Sequence, residues 1–171
     1  MTKGMYHYIR EAWKKPSMEE LRKRLFEWRQ GKAIERVESP TRLDRARALG
    51  YKAKPGFVIA RVRVRRGSKK RPKMMGGRRS KRQNRRKVLQ ANYQWVAEQR
   101  VGRKYRNMEV LNSYWIGRDG MHYFFEVILV DRTHPQILAD KTINWICEPE
   151  NRGRVFRGLT SSAKKSRKGF R

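Results

Sequence analysis

Between Asp44 and Glu98 this 171-residue chain has no acidic side chain. Over the same stretch Lys and Arg supply nineteen positive charges, fifteen of them within the twenty-seven residues RVRVRRGSKKRPKMMGGRRSKRQNRRK, Arg61 to Lys87. Like charges at this density repel, and the segment has too little apolar surface to offset them, so it has no self-contained fold in water. It calls for an extended polyanion, and a nucleic-acid backbone answers that description.

Other shortages narrow the classes further. Cys147 is the only cysteine, which excludes an internal disulfide and a four-cysteine zinc site and suits a reducing, intracellular setting. No run approaches the roughly 18 apolar residues of a membrane helix, and Met1 to Arg10 contains no signal-peptide hydrophobic region. The basic runs also lack the apolar face of an interfacial helix. His7, His122 and His134 are scattered, with no H-x-x-x-H or H-E-x-x-H spacing to gather a metal. Asp119, Glu126, Asp131 and Asp140 form no evident pair, and Cys147 has no local base to make it a nucleophile. The glycines Gly76 and Gly77 belong to no G-x-x-x-x-G-K-[ST] phosphate loop. The expectation is therefore no catalytic residue, no metal, no cofactor and no small-molecule substrate.

Forty-five Lys and Arg stand against fifteen Asp and Glu, a formal charge of +30. Residues 1–44 carry eleven basic and seven acidic groups, residues 88–150 seven and eight, and residues 151–171 eight and none. This distribution describes a nearly neutral body with two cationic arms. The expected organisation is one domain over 1–171, with a basic loop at 67–84 and a basic C-terminal extension at 151–171, both set aside from the core.

Periodicity supplies the elements. Tyr6 to Lys15 reads as a short helix broken by Pro16. A second helix starts at Ser17, where Ser17 and Glu20 fit a capping box and Met18, Leu21, Leu25 and Trp28 make an apolar stripe up to Gly31. Thr41 to Leu49 reads as a helix capped by Thr41. Phe57 to Arg66 alternates, with Val58, Ala60, Val62 and Val64 on one face and Arg61, Arg63 and Arg65 on the other, guanidinium groups spaced about 6.6 Å apart. Gly67 to Asn84 has no period; extended out and back it reaches roughly 30 Å. Helix resumes over Arg85 to Arg100, with the cations Arg85, Arg86 and Lys87 opposing the dipole at its first turn. Met108 to Ile116 and Met121 to Val130 form a hairpin whose second strand is apolar on both faces. Pro135 to Asp140 reads as a short helix and Thr142 to Ile146 as a further strand. The fold class is α+β, a small mixed sheet flanked by helices.

The blocks Leu49-Gly50-Tyr51-Lys52-Ala53-Lys54-Pro55-Gly56 and Val62-Arg63-Val64-Arg65-Arg66-Gly67 resemble the e-type large-subunit ribosomal protein fifteen family of archaea and eukaryotes. So do Tyr6-His7-Tyr8-Ile9-Arg10, Val110-Leu111-Asn112-Ser113-Tyr114-Trp115, Phe124-Phe125-Glu126-Val127-Ile128-Leu129 and Arg157-Gly158-Leu159-Thr160-Ser161. The resemblance covers nearly the whole chain in order. It implies a cytoplasmic protein of the large ribosomal subunit that binds 23S-type rRNA and neighbouring ribosomal proteins, without homo-oligomers. The compact loop and the short stretch after Lys168 favour an archaeal member.

The candidate RNA-binding residues fall into groups. Arg45 and Arg47 lie on the third helix, and Lys52 and Lys54 in the turn after it. Arg61, Arg63, Arg65 and Arg66 ride the alternating strand as positioning groups. Lys69, Lys70, Arg71, Lys73, Arg78, Arg79, Lys81, Arg82, Arg85, Arg86 and Lys87 make the penetrating clamp. Arg152, Arg154, Arg157, Lys164, Lys165, Arg167, Lys168 and Arg171 form a second anchor. The alternative is a DNA-compacting architectural protein, which shares the charge but more often shows dimeric symmetry, apolar wedges on an arm or a groove-reading helix; Met74 and Met75 are the only apolar pair in the basic segment.

Overall fold

A computed structural model describes residues 3–67, 75–77 and 89–168. The elements are α1 (Met5–Lys14), α2 (Met18–Gln30), β1 (Ile34–Val37), α3 (Leu43–Ala48), β2 (Phe57–Arg65), α4 (Tyr93–Lys104), β3 (Met108–Arg118), β4 (His122–Asp131), α5 (Pro135–Leu138) and α6 (Ser161–Lys168), with 3₁₀ turns at Asn144–Cys147 and Pro149–Asn151. The α+β class stands, but the sheet is antiparallel throughout, in the order β1-β2-β4-β3, and not mixed. Both neighbours of β4 run against it, and β1, a strand the sequence does not announce, pairs Ile34 with Val62 along the outer side of β2.

β4 is buried on both faces, as its double apolar pattern requires. Phe125, Val127 and Leu129 pack with Ala60, Val62, Val64 and Val110 beneath Ala97 and Val101 of α4. Phe124, Ile128 and Val130 pack with Ile59, Tyr114 and Ile116 against Trp28, Ala46, Ile137 and Ile146. Each such side chain removed from water contributes about 1.5–3 kcal/mol, so this strand carries much of the fold.

Several local expectations give way to tertiary contacts. Ser17 makes no side-chain capping bond although α2 begins directly after it. α3 starts at Leu43, and Thr41 does not cap it; the Thr41 hydroxyl and amide both donate to Glu126 across the core. α4 starts at Tyr93, capped by the Asn92 side chain accepting from Trp95 N at 2.7 Å, so Arg85 to Lys87 are not its first turn. It also runs through Gly102 to Lys104. A Cβ at Gly102 would come within 3.1 Å of Val155, which makes this glycine a packing choice. Thr142 to Ile146 is not a strand: Asp140 Oδ1 accepts from Thr142 N and Oγ1, turning the chain into the 3₁₀ segment Asn144–Cys147.

The largest departure concerns residues 151–168. They were set aside from the core, yet Val155 and Ala163 are buried within it. Their anchor is Glu98 of α4, which has no solvent exposure. Its Oε2 accepts from Thr160 Oγ1 and Ser162 Oγ, each at 2.6 Å, and its Oε1 accepts from Ser113 Oγ of β3. Asn92 adds a bond from its Nδ2 to the Ser162 carbonyl at 2.9 Å.

A second buried carboxylate, Glu126, joins β4 to the 41 turn and accepts from Tyr114 Oη at 2.5 Å. Burial raises its carboxyl above the ordinary range, outweighing the bonds from Thr41 and Tyr114 that lower it. Burial and then the Glu126 charge push the Tyr114 phenol far up as well.

Two outcomes follow for stability. Glu98→Ala leaves three buried hydroxyls without their acceptor and should cost about 3 kcal/mol in urea unfolding; a cost near zero would remove Glu98 as the anchor. Glu126 takes up its proton at higher pH in the folded state than in the unfolded chain. The burial of its charge therefore costs stability above the folded pKa, and that cost fades as pH falls through it towards about 4.3. Glu126→Gln does not titrate there, so its stability relative to the wild type should improve as pH rises above about 4.3. A pH-independent difference would contradict the assignment.

Candidate nucleic-acid interface

By count the body is nearly neutral, but its surface is not. Asp44, Glu98, Glu109 and Glu126 are each less than 9% exposed. Glu98 and Glu126 meet hydroxyls, and Glu109 accepts from Gly153 N at 2.9 Å. Drawing acids inward leaves the cations of the same segments outside, so the surface field is more positive than the composition indicates.

The arginine face of β2 is only partly available. Arg61 lies over the Trp28 ring of α2 at 5.3 Å and pairs with Glu35 of β1 at 2.6 Å. Arg63 donates to the carbonyl of Arg29 at the end of α2. Both are half-buried, whereas Arg65 and Arg66 are exposed at the strand end. Both the alternation and the helix α2 were legible in the sequence; that α2 covers this face was not.

At that strand end the loop is fastened. Arg66 donates its amide to Met121 O at 2.7 Å and its guanidinium to Asp119 O at 2.8 Å, and the guanidinium lies 5.0 Å from the Tyr123 ring. Gly67 N donates to Tyr93 Oη at 3.0 Å, and Tyr93 Oη donates back to Gly67 O at 3.1 Å. Tyr93 is the first residue of α4, so one side chain ties the point where the loop leaves the sheet to the point where the chain re-enters a helix. Lys69, Lys70, Arg71, Lys73, Arg78, Arg79, Lys81, Arg82, Arg85, Arg86 and Lys87, and Arg171 at the other end, lie outside the described residues.

The C-terminal group divides. Lys164, Lys165, Arg167 and Lys168 point outward from α6 while Ser162, Ala163 and Ser166 face the body. Arg152 and Arg157 are exposed. Arg157 donates to Arg152 O at 2.9 Å, and Arg167 to Arg157 O at 2.7 Å. Gly158, at φ +73°, leaves room for that guanidinium, whose Nη2 lies 2.3 Å from where a Cβ would stand. Arg154 departs from expectation. It is 9% exposed, bonds the carbonyls of Val110 and Leu111 at 2.7 and 2.8 Å, and lies 5.1 Å from the Trp145 ring. Its guanidinium holds the C-terminal segment to β3, and nothing in its basic surroundings in sequence distinguished it from the outward cations.

Arg45 and Arg47 are exposed on α3, with Arg47 lying 5.7 Å from the Tyr6 ring of α1. Lys52 and Lys54 both reach Asp140, at 2.7 and 2.5 Å, and hold its carboxyl well below the usual carboxylate range. Residues the sequence reading passed over join them: Arg10 and Arg42 share one cleft with Arg45 and Lys165. No linear signal unites positions so far apart in the chain.

Among the described residues no group of three His, Cys, Asp or Glu side chains is placed to hold a metal, and no helix is long and apolar enough to cross a membrane. Burial pushes the Cys147 thiol up, away from a reactive thiolate.

The ribosomal L15e family, described as Ribosomal L15, matches residues 4–171. The large ribosomal subunit protein eL15 of Methanospirillum hungatei is 52% identical over 172 aligned residues, covering 98% of this chain and 88% of that protein. A cationic body with buried acids, a fastened basic loop and a docked basic helix is thus the form taken by a chain that belongs to the ribosomal L15e family.

Proposed function

We propose that this chain, as a constituent of the large ribosomal subunit, binds and stabilises 23S-type rRNA by a fixed cationic face and a tethered basic loop. The observation that carries the reading is a partial separation of charge: the acids Asp44, Glu98, Glu109 and Glu126 are buried in the body while Arg65, Arg66, Arg152, Arg157 and the four cations of α6 stand outside. Each cation that neutralises a phosphate releases condensed counterions, and about 6–10 such contacts change affinity by ~10³–10⁵ over a modest salt range. Arg45 and Arg47 extend this surface, the loop cations Lys69 to Lys87 add charge for phosphates, and neighbouring ribosomal proteins complete the surroundings. Recognition rests on shape, phosphates and 2′-hydroxyls, since A-form RNA hides its base edges in a deep groove. The role is structural, with no reaction assigned, and family membership leaves DNA compaction without support.

Replacing Gly67 to Asn84 by a short neutral linker removes eight cations. If all eight touch phosphate, the log–log salt slope for rRNA binding falls by about five to seven units. The variant should wash out of large subunits at high salt, whereas Lys69→Ala alone should change the slope by less than about one. Normal retention of the loop-deleted chain would sink the reading of the loop. Tyr93→Phe tests the tether separately: it removes both bonds to Gly67 and no charge. Affinity should drop roughly threefold to tenfold with the salt slope unchanged; a changed slope would mean that the tyrosine acts through phosphate contacts.

A further inference from the structure

Among the described residues β3 is an edge strand, unpaired on its outer side. Side chains cover part of that edge, Arg154 at Val110 and Leu111 and Gln94 Nε2 at the Ser113 carbonyl, 2.9 Å away. Alongside lies a cleft of about 390 Å³, walled by α1 and α3 on one side and by α4 and α6 on the other. Its size falls in the range of about 300–1,000 Å³ typical of small-ligand sites.

The chemistry of the walls is specific. Arg10, Arg42 and Arg45 face Lys165 across the cleft. The one acid, Asp44, pairs with Arg42 at 3.6 Å, so the net charge is positive. Asp44 is 6% exposed, and its Oδ1 has no hydrogen-bond partner. Gln94 and Asn112 add carboxamides: Gln94 Nε2 is held by Ser113 and Asn112 Oδ1 accepts from Ser113 N at 2.9 Å, so the Gln94 oxygen can accept and the Asn112 nitrogen can donate at a base edge. Trp115 stands among these groups, 42% exposed. A second hollow of about 500 Å³ shares Asn112, Ser161 and Lys165 with the first and adds Lys164 and Lys168. The positive track therefore continues past the cleft in one direction.

A flat exposed indole among cations and carboxamides matches a nucleotide taken out of its helix. A base in a duplex already has both faces stacked, so only an unpaired one can lie on Trp115. We propose that this cleft takes one unpaired nucleotide of the RNA, its base stacked on Trp115 and its flanking phosphates held by Arg10, Arg45 and Lys165. The assignment rests on the RNA-binding reading above and adds to it a base-level contact that shape recognition of duplex does not supply. An acidic protein segment would satisfy the cations but leave the indole face and the carboxamides without a matching partner.

The test uses whole large subunits carrying the wild-type chain, Trp115→Ala or Trp115→Phe. They are probed with reagents that modify the Watson–Crick edges of unpaired bases. One unpaired base, protected in wild-type subunits, should gain reactivity about fivefold or more with Trp115→Ala and regain protection with Trp115→Phe. Occupancy of the chain should stay stoichiometric, and Trp115 is exposed enough that Trp115→Ala spares the core. Photo-cross-linking from position 115 should reach a nucleotide. Identical reactivity in all three subunits overturns the proposal, as does a cross-link to a protein peptide. Failure of the wild-type chain to bind rRNA at all would instead sink the broader RNA-binding reading.

Discussion

The carboxylate of Glu98 is the contact on which the described structure turns. It is fully buried and accepts from hydroxyls on β3, on the turn at Thr160 and on α6. An isolated eight-residue helix is marginal in water, and α6 carries four cations among its eight residues. Its order therefore comes from docking, and the docking is polar: Ser162 on Glu98, Ser166 Oγ accepting from Asn92 N at 3.2 Å, and the Ser162 carbonyl accepting from Asn92. Asn92 also caps α4, whose first residue Tyr93 holds Gly67. The C-terminal cations and the root of the loop are thus fixed by one connected set of bonds at the start of α4.

Burying four acids has an electrostatic consequence beyond stability. Surface cations lose the neighbours that would have screened them and repel one another, which weakens the free protein. Part of that repulsion is absorbed by aromatic faces: Arg47 lies near Tyr6 and Arg66 near Tyr123. Such contacts hold a guanidinium in place without neutralising it. The charge remains available to a phosphate, and less conformational freedom is left to lose on binding.

What the sequence disclosed follows the kind of signal involved. β2 and β4 were legible because alternation and a doubly apolar strand are strong periodic patterns. β1 was not: Ile34-Glu35-Arg36-Val37 is four residues long with two charges, and only its pairing with β2 makes it a strand. Thr142 to Ile146 has strand-like composition, but Asp140 bends its start. The C-terminal segment was misjudged because hydrophobic periodicity counts apolar side chains, whereas α6 docks through Ser162, Ala163 and Ser166. Arg154 and Arg157 are indistinguishable in sequence; what separates them is Trp145 and the carbonyls at the β3 edge. The cleft residues Arg10, Arg45, Trp115 and Lys165 come from four elements and share no motif.

Charge alone gives affinity without place, because phosphates repeat along every RNA helix. Register needs cations whose mutual positions are set before binding. Here α6, the end of β2 and the α1–α3 face supply them, each held by contacts that spare the outward charge. A basic loop adds affinity but, by charge alone, selects no site. Fastened at Gly67 by Tyr93, it starts from one point on a face that already has an orientation. On the proposed reading the labour divides: the docked cations set the position, and the loop cations add affinity there.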